Sequence, residues 1–269
     1  MLRKTGMMMV GAVLGLSGAA AQGQDITVTV ENLQPTGGFS FTPFWVAAHD
    51  GGFDSYDAGS TLAGFAGTEE LAELGMTDPI SAAFGASAAG LAGGVDGVVA
   101  SPSTAPPVFT PGDTDSLTLS VGDATVNRYF SYASMLIPSN DLFVGNDDPF
   151  AIELFDAAGN FQGPVEILIY GRSVLDAGTE ANDAADGPAF VAGQDGGAGG
   201  VTDVPVTPFF DDALAGAYVT SLVGTSNPIY QVSQGFAADD LIARITIVPE
   251  PASAALTGLL GLAMVRRLR

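Results

Sequence analysis

Three acidic side chains in two short segments are the residues of this chain best placed to do chemistry. Asp141 follows the apolar run 133–137, which Pro138 breaks, and so stands in the loop beyond a predicted strand. Asp176 and Glu180 lie four residues apart around Gly178, after a second predicted strand at 166–170. If those two strands are neighbours, both loops leave one end of a sheet. Three carboxylates completed by backbone carbonyls and water then supply the six to eight hard oxygens that calcium takes. Aspartate in a loop is also a common turn former, and the pattern alone leaves both readings open.

Contiguous metal motifs fail. An EF-hand loop begun at Asp176 would put Ala181 where the turn glycine belongs and Gly187 where the last carboxylate belongs. The piece Gly196-Gly197-Ala198-Gly199-Gly200-Val201 lacks the aspartate of a calcium-binding nonapeptide and occurs once. One histidine is too few soft ligands for zinc. Enzymatic chemistry is equally short of parts. Between the chain ends there is no cysteine, no lysine and a single histidine, His49, beside Asp50 at a predicted strand end, where it reads as a turn or rim residue. The nearest approach to a nucleophile elbow, Gly85-Ala86-Ser87-Ala88-Ala89-Gly90, has one residue too many. Acidic pairs fit for glycoside hydrolysis are unavoidable among 30 acids and carry no information without geometry. The expectation is a protein that is not an enzyme.

Both chain ends read as addresses. Arg3 and Lys4 precede an apolar Ala/Gly-rich stretch, and Ala19-Ala20-Ala21 offers a signal-peptidase site, so residues 1–21 are a predicted signal peptide. At the other end Val248-Pro249-Glu250-Pro251 leads into a 14-residue apolar run, Ala252 to Val265, closed by Arg266-Arg267-Leu268-Arg269. That run is shorter than the roughly 18–20 residues that cross a bilayer comfortably, but its arginine end suits a cytoplasmic stop. The arrangement of residues 249–269 resembles the PEP-CTERM sorting tail of Gram-negative bacteria. The resemblance implies export, transient anchoring in the inner membrane, and recognition by an exosortase-type processing enzyme that delivers the protein to the cell envelope, the surface or the medium.

Five of the eight basic residues sit in these two ends. The body keeps three arginines against 30 acids, a formal charge of −27. Such a surface repels phosphate backbones, which excludes nucleic acid as a partner, and it gains from cations that neutralise clustered carboxylates. Without cysteine, an exported body must draw its stability from a core, a metal or both.

The elements that must position the acids are mostly strands. Ile26-Thr27-Val28-Thr29-Val30 alternates with period two, and residues 39–48, 117–121, 129–137, 166–170, 218–222 and 242–248 are rich in β-branched or aromatic residues between turn formers. A helix is expected from Thr68, as its cap, to Gly75, and a second short helical turn after Pro79. Residues 90–111 and 193–203 read as loops. The predicted fold is all-β, a single antiparallel sandwich of about eight strands with one or two short helices, over residues 25–248.

Met135-Leu136-Ile137-Pro138-Ser139-Asn140-Asp141-Leu142-Phe143-Val144-Gly145, then Asp176-Ala177-Gly178-Thr179-Glu180, then Ile242-Ala243-Arg244-Ile245-Thr246-Ile247 together resemble the spondin N-terminal domain family in matching order. The segments 26–33 and 47–50 also suit its bacterial members. The resemblance implies an eight-stranded sandwich similar to calcium-dependent lipid-binding domains, with one calcium ion held by Asp141, Asp176 and Glu180. Animal members have Asp where Glu180 stands and an earlier acidic ligand, for which Asp123 lies near the expected place. Their adhesion and recognition roles suggest a calcium-binding module of the cell envelope, matrix or biofilm, meeting a surface protein or exopolysaccharide. The alternative is an exopolysaccharide-binding or exopolysaccharide-processing protein, with Trp45, the only tryptophan, stacking on a sugar from an exposed cleft.

Overall fold

The computed structural model describes residues 24–250. The signal-type segment and the apolar and basic parts of the tail lie outside the described residues. Among those described, no helix is long and apolar enough to cross a membrane.

Eleven strands run through the described residues: β1 (Asp25–Asn32), β2 (Ser40–Phe41), β3 (Phe44–His49), β4 (Val95–Val99), β5 (Thr114–Ser120), β6 (Tyr129–Ile137), β7 (Leu142–Gly145), β8 (Val165–Tyr170), β9 (Leu175–Asp176), β10 (Thr207–Pro208) and β11 (Leu241–Pro249). Three of them span only two residues; of the eight longer ones, β4 and β7 are not among the strand runs read from the sequence. They form two antiparallel sheets, one ordered β5-β1-β11-β8 and the other β10-β9-β7-β6-β3-β4, with β2 also on β6. The alternation of β1 does what its period requires: Ile26, Val28 and Val30 are buried and the threonines between them are not.

The main core fills the space between the sheets. Ile26, Val28 and Val30 from one meet Phe44, Val46, Phe130, Leu136 and Val144 from the other. Strand β3 is buried along its whole length because its other face is covered too: Trp45 and Ala47 pack with Leu71, Ile80 and Phe84 of two helices, α1 (Thr68–Leu74) and α2 (Asp78–Ala86). Trp45 is fully buried, lies 5.5 Å from Phe53 and 5.7 Å from Phe84 between ring centroids, and donates its Nε1–H to Asp96 at 2.9 Å. It cannot stack on a sugar from there.

Four sequence expectations change. Residues 39–48 form two strands, interrupted at Thr42-Pro43. Residues 90–111 are not simply a loop, since they finish a short helix, α3 (Ala88–Leu91), and supply β4, which pairs with β3. Residues 218–222 are helical, within α4 (Ala215–Leu222): Ala215, Tyr218, Val219 and Leu222 recur at the three- and four-residue spacing of one helix face, and all four are buried. Thr68 opens α1 without capping it, because its hydroxyl donates to the Ser55 carbonyl at 2.6 Å, and Gly67 takes the cap position at φ 89°. Only glycine fits there, since a Cβ would stand 2.3 Å from the Ile80 backbone nitrogen.

Candidate functional site

The acidic site forms at one end of the second sheet, by a different route from the one the sequence suggests. The strands ahead of the two acidic loops, β6 and β8, belong to different sheets. What joins the loops is the short pair β7 and β9, whose register places Asp176 opposite Leu142. Asp141 is the residue before Leu142, so the two aspartates come side by side.

The turn after β6 is tied down residue by residue. Ser139 Oγ donates to the Leu136 carbonyl at 2.6 Å and accepts from the Leu142 amide at 3.1 Å. Asn140 is clasped by Tyr218 of α4: its amide donates to the Tyr218 hydroxyl at 2.9 Å, and that hydroxyl donates to Asn140 Oδ1 at 2.6 Å. These bonds fix Asp141, which is fully buried. Its Oδ2 accepts from the Thr179 amide at 2.9 Å, the Thr179 hydroxyl at 3.2 Å and the Glu180 amide at 3.0 Å. Its Oδ1 accepts nothing.

Asp176 Oδ1 accepts from the Gly178 amide at 2.8 Å, and Oδ2 from Asn182 Nδ2 at 2.5 Å. Glu180, 3% exposed, accepts at Oε1 from the Gly199 amide at 2.8 Å, while its Oε2 has no donor. Segment 199–202 folds over it, with the Ala181 amide donating to the Gly200 carbonyl and the Thr202 amide to the Thr179 carbonyl. Asn182 Oδ1 is a third buried acceptor without a donor. An unsatisfied buried acceptor costs roughly 1–3 kcal/mol, so three on adjacent turns are an expensive arrangement unless something positive meets them.

Nothing positive among the described residues does. The body's three arginines pair elsewhere: Arg128 with Glu153, Arg172 with Asp239, and Arg244 with Glu31 and Glu166. Burial pushes the Asp141 carboxyl up to about 7, with the Asp176 charge adding to the effect. Burial likewise raises Asp176, Glu180 and Glu73 of α1, and the Glu180 charge adds to the rise at Glu73.

The structure thus brings Asp141 and Asp176 together but does not close Glu180 onto them, because its carboxylate turns toward Gly199. Among the described residues no three His, Asp or Glu side chains stand as a ready metal cage. Asp123 lies elsewhere. It is exposed beyond the end of β5, where its Oδ1 accepts from the Thr125 amide at 2.9 Å and hydroxyl at 2.7 Å. The length of β6 separates it from Asp141, roughly 30 Å for nine extended residues. Sequence reasoning missed Asn140, Asn182 and Glu73. The first two follow or precede the named acids within two residues, but nothing in their type separates a site amide from a turn amide.

His49 is not a rim residue. It is fully buried at the end of β3, with Nδ1 accepting from the Gly51 amide at 2.9 Å and Nε2 at 2.9 Å from Ser131 Oγ. The spacing is that of a nucleophile and its base, but the proton runs the wrong way. A nitrogen that accepts at Nδ1 leaves the hydrogen on Nε2, which therefore donates to the serine and cannot take its proton. Burial holds this imidazole well below its ordinary range, at about 4, against the weaker opposing effect of Asp50.

What fold and site define is a class: an antiparallel sandwich carrying a buried acidic cluster of oxygen donors at one end of one sheet. No known family model matches the chain, and no curated protein matches it.

Proposed function

We propose that the protein is an exported calcium-binding adhesion or recognition module of the spondin type, sorted to the cell envelope or matrix by its C-terminal tail. The supporting observation is the set of three buried, undonated oxygens, Asp141 Oδ1, Glu180 Oε2 and Asn182 Oδ1, beside the Asp141–Asp176 carboxylate pair. All are hard oxygen donors, with no nitrogen or sulfur among them, which suits calcium over zinc or copper. Asp141, Asp176, Glu180 and Asn182 would hold the ion, and the ion would supply the positive charge that the body lacks. Its work is structural: it ties the turn after β6 to the loop after β9 and stiffens the end of the sandwich where a surface protein or exopolysaccharide partner would dock.

Thermal unfolding with millimolar calcium against excess chelator tests the reading. Calcium that binds only the folded form stabilises it by about 2.7 kcal/mol at a hundredfold excess over Kd. Identical curves in calcium and chelator would remove the site. For the sorting step, intact-mass measurement of envelope material should find a chain beginning near Gln22 and ending near Pro251. Recovery of Arg269 on that material would overturn it.

A further inference from the structure

Beside the acidic site lies a cavity of about 680 Å3 between α4, the 3-10 turn at Phe209–Asp211 and the loop after β9. Its walls are of two kinds. Phe209, Leu214 and Ala217 give an apolar side, and Leu214 is left 69% exposed at the rim. Asp176, Glu180, Asp183 and Asp212 give the other, with no basic residue among the lining.

The acids are chemically specific in what they leave free. Asp212 Oδ1 accepts from the Leu214 amide at 2.8 Å, and Asp183 Oδ1 from the Ala185 amide at 2.8 Å, so each keeps one carboxylate oxygen for a ligand. Glu180, buried to 3% exposure and lining the cavity, keeps Oε2. A guanidinium wants both oxygens of one carboxylate for its planar fork, whereas an ammonium has three rotatable donors that suit single oxygens from different residues. A hydrated metal ion gains nothing from an apolar wall, and an anion is repelled.

We propose that this cavity is a socket for an aliphatic primary amine, its ammonium toward Asp212 and Asp183 and its chain along Phe209, Leu214 and Ala217. The socket adjoins the proposed calcium site and shares Glu180 and Asp176 with it as wall residues, whereas Asp183 and Asp212, which would meet the ammonium, belong to the cavity alone. It gives the exported protein a small cationic ligand in addition to the ion.

Calorimetric titration of the full chain with n-pentylamine at neutral pH, in calcium and in chelator, tests this. Pentylamine should bind about tenfold or more tighter than 1-pentanol, and pentanoate should not bind detectably. Ala217→Trp, which fills the cavity from an exposed helix position, should abolish amine binding while leaving thermal unfolding in calcium as in the wild-type chain. Asp212→Asn, with its circular dichroism unchanged, should weaken the amine about tenfold. Equal binding of pentylamine and pentanol would reduce the socket to a greasy crevice and overturn it. Wild-type amine affinity in both variants would do the same. Loss of amine binding in saturating calcium would show the amine standing in for the ion, which also overturns the proposal. Amine binding without any calcium effect on unfolding would keep the socket and defeat the calcium reading alone.

Discussion

Two buried polar clusters at the ends of β6 differ in character, the His49 network at its start and the acidic cluster beyond its end, although Asn127 Oδ1, two residues before the strand, is also unmet. At its start, His49 is satisfied at both ring nitrogens, and its partner Ser131 also accepts from Asn146 Nδ2 at 3.2 Å, while Asn146 Oδ1 takes the Tyr132 amide at 3.0 Å. Beyond its end, Asp141, Glu180 and Asn182 each leave an acceptor unmet. Both clusters are largely buried and both perturb their titrating groups, so burial and shifted pKa do not separate them. Satisfaction does. A closed network has nothing left to bind and serves packing, whereas an open one is complete only with a ligand.

The largest expected effect that sharpens this contrast is acid sensitivity at the closed end. Unfolded, His49 titrates near 6.5, while in the fold it stays neutral down to about 4. Between those values the unfolded chain holds the extra proton, so the stability His49 contributes is lost as pH falls through that window. The gap corresponds to about 3 kcal/mol. Because buried acids such as Asp141 and Asp54 gain stability over the same interval, the His49 contribution is read as a difference: from pH 7 to pH 5, urea denaturation should change less favourably in the wild-type chain than in His49→Gln. Equal changes would mean that the imidazole is not the group being charged.

The open end should respond with the opposite sign. The Asp141 carboxyl is raised in the fold, so without calcium its contribution is present at low pH and lost as pH rises through about 7. Asp141→Asn removes the buried charge at nearly constant shape. At pH 8 in chelator the variant should be at least as stable as wild type, and the calcium increment of about 2.7 kcal/mol, or about 5–10 °C in Tm for a domain of this size, should vanish. A variant that keeps the increment would place the ion elsewhere.

How much of this was legible depends on range along the chain. Strands β1, β6, β8 and β11 could be read from alternation or from β-branched and aromatic runs, because each pattern is local: β1 and β11 bury one face, β6 both, and β8 half-buries one. Residues 218–222 misled, since five apolar-rich residues fit either period, and it is Ala215, three residues before Tyr218, that completes the helix face. His49 misled for a non-local reason: whether β3 is covered on its second face depends on α1 and α2, which no residue of β3 encodes. At the site, Asp141, Asp176 and Glu180 were visible as acids beside glycine and proline. Their meeting through the two-residue strand β9 was not, because so short a strand has no periodicity to detect.

The smallest expected effect concerns Asp123, the acid that the spondin resemblance offers as a possible fourth ligand. Its carboxyl is held below the ordinary range by the Thr125 hydroxyl and amide, the reverse of Asp141, and both donors come from its own turn. A carboxylate already met by local donors in open water has no need of an ion, and asparagine can accept the same two bonds. Asp123→Asn should therefore move Tm by less than about 2 °C and leave the difference between calcium and chelator unchanged, as read by paired thermal melts of variant and wild type. If that difference collapsed, an exposed, self-satisfied turn would be contributing to the ion, and unmet buried oxygens would no longer distinguish the binding end of β6 from the packing end.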